Sequence, residues 1–255
     1  MKTVTKILLV IERDLRLLMH QYSILVMRWF YVVVQIGIFG FAISRLVVVM
    51  DNYYYYYAMG VIVMTMYSVA IFTGYEIYDE ADEGYTEYLL ALPLTRRELV
   101  LGRSLAGGLR SFIFMAPVIA GFMILIGVVN PLRVAAALIA LYGFAFGISG
   151  LSITFAVALR SGDSFDIVMG ALDAFIVRLS SALYPIAFMP GPIATLSKFN
   201  PLTYASDLFR WSLDFNVQYL SNPLTAVVVL IIFLATFNFA GVAIYERSLE
   251  GGAWK

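Results

Sequence analysis

Long apolar stretches separated by short charged segments dominate the pattern of this chain. A helix needs roughly 20 consecutive apolar residues to cross the core of a bilayer. The stretches of this kind predict spans at residues 24–44, 55–75, 111–129, 134–159, 167 onward and 223–245. The pattern therefore predicts an all-α membrane protein with six transmembrane helices, in a single domain that covers residues 1–255.

Residues 1–22 follow a different pattern, in which apolar residues recur at helical spacing and charged residues mostly occupy other faces. The recurring apolar positions are Val4, Ile7, Leu8, Ile11, Leu15 and Leu18. A helix with one apolar and one charged face lies in the membrane interface rather than across the bilayer. We therefore predict an interfacial amphipathic helix before the first span.

The segment before the last span, residues 180–219, changes character along its length. Residues 180–199 are apolar but broken, and the breakers are Pro185, Pro190, Gly191 and Pro192. An irregular segment at membrane depth suits a re-entrant hairpin that protein or a wet cavity covers. Residues 203–219 predict an outer interfacial helix, whose polar positions are Asp207, Arg210, Asp214 and Gln218.

Composition narrows the class of protein. The chain is 62% hydrophobic and 13% charged, and its formal net charge is zero. A soluble domain could not bury this much apolar surface, and the charge balance does not favour nucleic acid. The chain has no cysteine and one histidine, His20, so a thiolate site or a histidine cluster is not available. We expect no metal and no cofactor on this chain.

The positions of lysine and arginine predict the orientation, because cytoplasmic loops carry an excess of these residues. If the N-terminus lies inside, the basic residues of the outer segments are only Arg45, Arg133, Lys198 and Arg210. Apart from Arg178 in the fifth span, all other lysines and arginines then lie on the inner side. We predict a multi-pass protein of the plasma membrane with both termini in the cytoplasm.

Residues 76–103 form an island of charge between the second and third spans. The first half of the island is acidic, its centre is apolar and its second half is basic. After Gly84, the sequence predicts a helix of about two turns over residues 86–93, which begins at Thr86 and stops at Pro93. This arrangement predicts a short cytoplasmic helix on the membrane surface.

The side chains of this short helix suggest a contact with a soluble partner. Glu83 and Glu87 suit the positive end of the helix dipole, and Tyr88, Leu89 and Leu92 would project together as an apolar knob. An apolar knob on a charged, water-facing segment indicates a partner pocket. A plain surface loop is one alternative. A divalent cation held by the carboxylates is another, although no histidine joins them.

Two motifs make the chain similar to a known family. Residues 83–103 read E-G-Y-T-E-Y-L-L-A-L-P-L-T-R-R-E-L-V-L-G-R. This resembles the signature loop of ABC-2 type exporter permeases, E-x-G-T-x-E-x-L-L-x-x-P-x-x-R-x-x-x-x-x-G-K. Residues 200–210, N-P-L-T-Y-A-S-D-L-F-R, are similar to the family's N-P-x-x-x-x-x-x-x-x-R segment. Tyr85 within the Gly-Thr pair and Arg103 in place of lysine are departures, and the six-span layout extends the resemblance to essentially the whole chain.

The resemblance implies partners and site residues. Such a permease pairs with a second copy, and each copy sits on a cytoplasmic ABC ATPase subunit that binds ATP and Mg²⁺. The residues that would contact this subunit are Glu83, Gly84, Thr86, Glu87, Tyr88, Leu89, Leu92, Pro93 and Arg96. The broken segment before the last span would narrow the outer exit. The residues of the translocation path or gate would be Asp173, Arg178, Pro185, Pro190, Asn200 and Pro201.

Asp173 and Arg178 lie within the apolar fifth span, where a central charge costs roughly 2.5–3.5 kcal/mol. They are five residues apart, about 140° around a helix, so they do not face each other. Each needs water, another span or the second copy as a partner. Either the two residues line the path or a gate, or Asp173 pairs structurally with another helix while Arg178 reaches towards the interface.

The chain has no recognisable ATP-binding loop of its own. A P-loop requires G-x-x-x-x-G-K-[ST], and Lys2, Lys6, Lys198 and Lys255 all lack that context. We therefore expect a transporter subunit rather than an enzyme. Its energy must come from ATP hydrolysis on a separate chain or from an ion gradient.

These features predict the permease subunit of an ATP-driven exporter, which works in the lipid membrane as a homodimer with two ATPase chains. The short outer loops favour hydrophobic drug-like or lipid-like cargo, and the tyrosine content favours a lipid-linked polysaccharide as the second choice. A gradient-driven transporter or channel is the alternative from another class, but no repeated halves are apparent. An intramembrane enzyme has no nucleophile motif to support it.

Overall fold

The computed structural model describes residues 3–20, 22–48, 50, 52–127, 130–215, 217 and 219–249, and within these ranges the fold is all-helical. The helices are α1 (Thr3–His20), α2 (Tyr22–Val34), α3 (Phe41–Leu46), α4 (Tyr53–Asp82), α5 (Tyr85–Ala91), α6 (Arg96–Ile126), α7 (Pro131–Leu159), α8 (Gly162–Arg178), α9 (Gly191–Ser197), α10 (Pro201–Ser212) and α11 (Pro223–Leu249). A π-helical turn, Gln35–Gly40, joins α2 to α3, and a 3₁₀ turn, Ile186–Phe188, precedes α9. The predicted all-α class is confirmed.

Five helical segments in the described ranges are long and apolar enough to cross a membrane. They are Val26–Leu46, Tyr53–Ala81, Arg96–Ile126, Pro131–Leu159 and Pro223–Arg247. The predicted fifth span corresponds to α8, which has 17 residues and therefore extends about 25 Å. It also carries Asp163, Asp166 and Asp173. Length and composition thus support five of the six predicted spans, because α8 is shorter than the others and carries four charged residues in 17.

Helices α4 and α7 form the centre of the bundle. Helix α7 packs against α4, α6, α10 and α11, and α4 is the most buried of the candidate spans. The glycines of α7 predict a close-packing face. A Cβ atom at Gly147 would lie 3.0 Å from the Cα of Leu234, and one at Gly150 would lie 2.8 Å from the amide group of Asn238. Glycine is therefore required where α7 meets α11.

Helix α6 begins at Arg96 rather than near residue 111, where the third span is predicted to begin. The spacing of Thr95 and Glu98 predicts a capping box. Both of its bonds form, from the Glu98 N–H to Thr95 Oγ1 at 3.2 Å and from the Thr95 N–H to Glu98 Oε2 at 2.8 Å. Arg103 and Arg110 continue the helix because carboxylates of α4 pair with them. Residues 76–103 are thus the end of α4, then α5 and the start of α6.

The five tyrosines at residues 53–57 begin α4. Tyrosines at the end of a span predict anchors at the level of the lipid headgroups. Tyr53, Tyr56 and Tyr57 are instead buried, because the helical period turns these positions towards the protein. The Tyr53 hydroxyl donates a hydrogen bond to the carbonyl oxygen of Leu183 at 2.6 Å. Most of this run therefore contributes to packing between segments of the chain.

Helix α10 lies inside the bundle rather than on its surface. Asp207 and Arg210 predict a polar side on an interfacial helix, but all residues from Pro201 to Arg210 are buried. The helix packs against α4, α7, α8 and α11. The structure differs from the prediction because the two charged residues pair with each other. Arg210 also donates to main-chain carbonyls, and Asp207 accepts from the Ser181 hydroxyl and the Leu220 N–H, so neither needs water.

Candidate functional site

The predicted coupling residues gather around α5, at the end of the bundle that also carries α1. We call this the inner end, after the predicted orientation, and the opposite end, with α10, the outer end. Gly84 adopts a left-handed conformation with φ 76°, which favours glycine, and it begins α5. The helix starts at Tyr85, one residue before the predicted Thr86, and ends at Ala91, before Pro93.

The predicted apolar knob of α5 divides into an exposed and a buried part. Tyr88 is 66% exposed, whereas Leu89 is 7% exposed. Leu92 is half-buried. Tyr88 and Leu89 differ in exposure because consecutive residues of a helix point about 100° apart, but all three residues line the same cavity. The side chain of Glu87 lies outside the described part of the structure.

A cavity of about 1000 Å³ lies between α1, the last turns of α4, and α5. Leu9 and Leu17 of α1 line one wall, and Tyr88 and Leu89 of α5 line the other. Carboxylates of α4 and the exposed Glu83 add polar groups to its edge. A cavity of this size, with apolar walls and a few polar groups, is typical of a binding site.

Ion pairs join α1, α4 and α6 beside this cavity. Glu80 of α4 accepts hydrogen bonds from Arg13 of α1 and from Arg103 of α6. One turn earlier on α4, Glu76 accepts two hydrogen bonds from Arg110, one of them 3.0 Å long. The Arg103 and Arg110 side chains are only 5% and 7% exposed. Salt therefore screens these pairs much less than it screens pairs on the surface.

From the sequence, these charges were expected on a water-exposed segment, and the network of ion pairs was not predicted. The spacing of the charged residues along α4 and α6 could have indicated it. Glu76 and Glu80 are one turn apart on α4, and Arg103 and Arg110 are two turns apart on α6. Helices α4 and α6 are antiparallel neighbours, so Glu80, the later of the two residues on α4, meets Arg103, the earlier of the two on α6. In the same way, Glu76 meets Arg110.

Asp14 adds a buried carboxylate to α1 beside the network. It is 2% exposed, and its Oδ1 accepts a hydrogen bond from Arg13 at 3.3 Å. Its Oδ2 has no hydrogen-bond partner among the residues that the structure describes. Burial raises the pKa of Asp14 to about 6, although the guanidinium groups of Arg103 and Arg13 oppose this shift. The carboxyl group therefore titrates close to neutral pH.

The start of α6 is attached to the end of α11. Arg96 donates a hydrogen bond to the main-chain oxygen of Glu246 at 3.1 Å, and Arg97 pairs with the carboxylate of Glu246 at 2.7 Å. Arg96, which the family resemblance assigns to a partner contact, is thus already engaged within the chain. These bonds connect the last span to the turn that follows α5.

At the outer end, Asn200 and Pro201 form the start of α10. The Asn200 side chain accepts a hydrogen bond from the Leu202 N–H at 3.0 Å, and Pro201 takes the first helical position. The amide nitrogen of Asn200 also donates to the main-chain oxygen of Ile176 at 2.8 Å. The two predicted gate residues therefore connect α10 to the end of α8.

Arg210 lies at the centre of the outer end. It is completely buried, and its guanidinium group lies 3.5 Å from the centroid of the Tyr56 ring. It donates hydrogen bonds to the main-chain oxygens of Ala182 at 2.6 Å and Ser181 at 3.0 Å, and it pairs with Asp207 at 3.4 Å. These contacts hold the segment after α8 against α4 and α10.

The other predicted path residues lie on α8 or after it. Asp173 and Arg178 are both exposed, and neither forms an ion pair with another described residue. Pro185 is buried before the 3₁₀ turn, and Pro190 is exposed before α9. The structure therefore places the coupling residues at the inner end and the path residues along α8 and at the outer end, not in one site.

Comparison with known proteins agrees with this layout. The profile of the ABC-2 type transporter family matches residues 5–213, which extend from α1 to the end of α10 and include both motifs. The chain is also similar to the curated "Putative transport permease ycf38" of Cyanophora paradoxa. The two are 25% identical over 214 residues, which cover 78% of this chain and 72% of that protein. The chain therefore belongs to the ABC-2 type transporter family, as a membrane subunit of a transport permease.

Proposed function

We propose that this chain is the permease subunit of an ATP-driven exporter. Two copies would form the translocation path, and each copy would sit on a separate cytoplasmic ATPase subunit. ATP and Mg²⁺ would bind to that subunit, since the chain has no P-loop. The observation that carries the proposal is the cavity beside α5, which ion pairs connect to the spans.

The cavity offers a partner mainly apolar contacts. Tyr88 is 66% exposed on one side, and Leu9 and Leu17 are each 49% exposed on the other. Exposed apolar side chains around a concave surface favour a protein contact. Glu83 adds an acidic edge, where a single exposed ion pair would contribute about 0–1 kcal/mol. The apolar residues would therefore supply most of the binding free energy.

Glu80 suggests how motion at α5 would reach the spans. It lies in the last turn of α4, close to α5, and its two arginine partners belong to α1 and α6. If the ATPase subunit displaced α5, α4 would move with it. The ion pairs would then move α1 and α6 as well, because breaking a shielded pair is costly. Coupling of this kind needs no contact between ATP and this chain.

Helix α8 completes the proposed topology as a short sixth span. With six spans both termini lie in the cytoplasm, as the basic residues predict. Residues 180–199 would then enter the outer leaflet and return without crossing. The hydroxyls of Tyr53 and Tyr56 donate hydrogen bonds to main-chain oxygens in the first part of this segment, and Thr203 accepts one from the Ser181 N–H, which holds the segment against α4 and α10. Irregular backbone at membrane depth needs this kind of cover by protein.

Asp173 and Arg178 support the second copy. Both are exposed on α8, and a charge that faced lipid would cost roughly 2.5–3.5 kcal/mol. Contact with a second copy of the chain, or with a water-filled path between two copies, would remove that cost. Helix α8 would therefore face the path. The cargo remains the predicted hydrophobic drug-like or lipid-like molecule, which the path would take up from the inner side.

The test of this function uses Tyr88, because the residue is exposed and its loss does not open a core. An ATPase encoded in the same gene cluster is the partner to examine. Tyr88→Ala should weaken co-purification with that ATPase by about 2 kcal/mol, which is roughly a thirtyfold loss of affinity. ATP-driven export in reconstituted vesicles should fall in parallel.

Tyr55→Ala is the matched control, since Tyr55 is a 38% exposed tyrosine at the outer end of α4. We expect this variant to associate with the ATPase and to export cargo like the wild type. If Tyr88→Ala also behaved like the wild type, α5 would not be the coupling element. Export that continued without any ATPase would instead favour a gradient-driven transporter.

A further inference from the structure

The wall of the cavity at the inner end contains a carboxylate that is only partly bonded. Asp14 lines the cavity between α1, α4 and α5, although the residue is only 2% exposed. Its Oδ1 accepts a hydrogen bond from Arg13 at 3.3 Å, whereas its Oδ2 has no hydrogen-bond partner within the described ranges. Buried polar atoms are normally bonded, and an exception needs an explanation. A donor that enters the cavity would supply the missing bond.

The charges that line this cavity are mainly negative. Five of the lining residues are acidic and two are basic. Both basic residues, Lys6 and Arg13, already pair with carboxylates of the chain. Arginines of α6 pair with Glu76 and Glu80. The other acidic lining residues are Asp14, Asp79 and Glu83. The excess of negative charge favours a cation as the donor.

The remaining walls of the cavity are apolar. Leu9 and Leu17 are each 49% exposed, and Tyr88 is 66% exposed. A long basic side chain can place its methylene groups along such walls while its charged end reaches a carboxylate. A bare metal ion suits the site less well, since no group of three or more His, Asp or Glu side chains in the described structure could hold one. The cavity therefore matches a lysine or arginine side chain.

The cavity lies on the side of α1 that is turned away from the predicted membrane face. Leu9, Arg13 and Leu17 recur every four residues and line the cavity, whereas the exposed Val4 and Leu8 belong to the predicted membrane face. At 100° per residue, the centres of the two sets are about 160° apart on the helix. With Val4 and Leu8 on the bilayer, this wall of the cavity faces water. The cation is therefore expected on a soluble partner rather than on a lipid.

We infer that the ATPase subunit inserts a lysine or arginine side chain into this cavity, where Asp14 binds its charged end. The inference rests on the proposed function, because it needs the ATPase to dock beside α5, and it adds the chemistry of the docking element. Asp14 Oδ2 would accept the hydrogen bond, and Asp79 and Glu83 would attract the cation during approach. A charged side chain that fills a largely desolvated pocket is a typical anchor of a protein interface.

The first test changes the charge on the exposed wall of the cavity. Leu9→Glu and Leu9→Lys remove the same leucine, so a difference between them reports the sign of the charge that enters. The equilibrium affinity of the full permease in nanodiscs is measured for the ATPase encoded in the same gene cluster. We expect Leu9→Lys to bind about tenfold more weakly than Leu9→Glu, and Asp14→Asn to bind about tenfold more weakly than the wild type.

Glu12→Gln is the matched control, because it removes an acidic charge from α1 that pairs with Arg16 outside the cavity. It should bind the ATPase like the wild type. Equal affinities of Leu9→Glu and Leu9→Lys, or tighter binding by Leu9→Lys, would overturn the inference, and this comparison is decisive even if Asp14→Asn does not fold. If Tyr88→Ala lost binding while the two Leu9 variants bound equally, the docking function would stand and only the basic anchor would fail. A wild type that did not bind the ATPase would reject both.

The second test asks what occupies the cavity. The chain has no cysteine, so Leu17→Cys introduces a single thiol on the exposed wall. A water-soluble maleimide should label this variant in nanodiscs when the permease is alone, and bound ATPase should prevent the labelling. Protection of the thiol without the ATPase would mean that lipid or a second copy of the chain fills the cavity, and it would overturn the inference.

Discussion

The two ends of the bundle both keep charged groups inside the protein, but they use different partners. At the outer end, Arg210 bonds mainly to main-chain oxygens of Tyr56, Ser181 and Ala182. At the inner end, Glu80 bonds to side chains of two other helices, beside a cavity of about 1000 Å³. The outer end packs closely around Arg210, whereas the inner end consists of side-chain ion pairs next to a cavity.

This difference indicates how each end responds to force. Main-chain oxygens cannot leave Arg210 unless the segment after α8 unfolds locally, so the outer end acts as a fixed joint. Side-chain ion pairs can follow small shifts of the helices that carry them, so the inner end can move as a connected unit. The proposed exporter, if driven from its cytoplasmic side, would need this combination. The following experiments test whether the two ends differ in this way.

The largest effect is expected at the fixed joint. Arg210→Met removes a completely buried guanidinium group and leaves Asp207 buried without its partner. Because an unpaired buried charge is strongly unfavourable, the free energy of unfolding should fall by about 3–5 kcal/mol. Thermal unfolding of the purified protein in detergent measures this change.

Arg133→Met is the control for this experiment. Arg133 pairs with Asp214, but both side chains are substantially exposed, at 39% and 42%. An exposed pair contributes about 0–1 kcal/mol, so the loss of stability should be small. Losses of equal size in the two variants would mean that the buried contacts of Arg210 do not hold the outer end together.

A smaller loss of stability, with a larger loss of coupling, is expected at the inner end. Glu80→Gln removes the negative charge that faces Arg13 and Arg103, and the free energy of unfolding should fall by about 1.5–3 kcal/mol. The complex with the ATPase should still form and hydrolyse ATP, but export per ATP should drop. Transport and hydrolysis are measured on the same vesicles.

Glu12→Gln, which loses an exposed pair with Arg16, is the control and should keep normal coupling. Normal export per ATP in Glu80→Gln would exclude this network as the connection.

The smallest effect is a pH dependence that only the inner end should show. The pKa of Asp14 is about 6 in the folded protein and 3.8 without burial, so the folded state binds this proton more tightly. Its stabilising contribution is complete below pH 3.8 and is lost as the pH rises through about 6. Between about pH 5 and about pH 7.5 the wild type should therefore lose about 1 kcal/mol more than Asp14→Asn. If the free energies of unfolding of the two proteins changed with pH in the same way, Asp14 would not be the group that titrates.

Features that depend on residues within one or two helical turns were predictable. The capping box of Thr95 and Glu98, the short helix after Gly84 and its end before Pro93 all appear as predicted, with a one-residue shift at the start of α5. Such features depend on hydrogen bonds and backbone angles within a few residues, and the sequence shows these directly.

Features that depend on distant residues were not predictable in the same way. Glu80 and Arg13 are 67 residues apart, and Arg210 and the Tyr56 oxygen are 154 residues apart. From the sequence, Asp207 was expected on a water-exposed helix face, because a buried and an exposed charge have the same sequence pattern. Only the neighbours that the fold supplies decide whether a charge can be buried.

The sequence by itself determined that this is an all-helical membrane protein of the ABC-2 type transporter family. It also determined where α6 begins and, to within one residue, where α5 begins, because the length of apolar runs, helix caps and family motifs are local properties of the chain. The tertiary structure alone decided that Glu76 and Glu80 pair with arginines of α6, that α10 is buried, and that the aspartates of α8 remain exposed. The physical reason is that burial and charge pairing depend on which helices become neighbours, and that is settled only when the whole bundle packs.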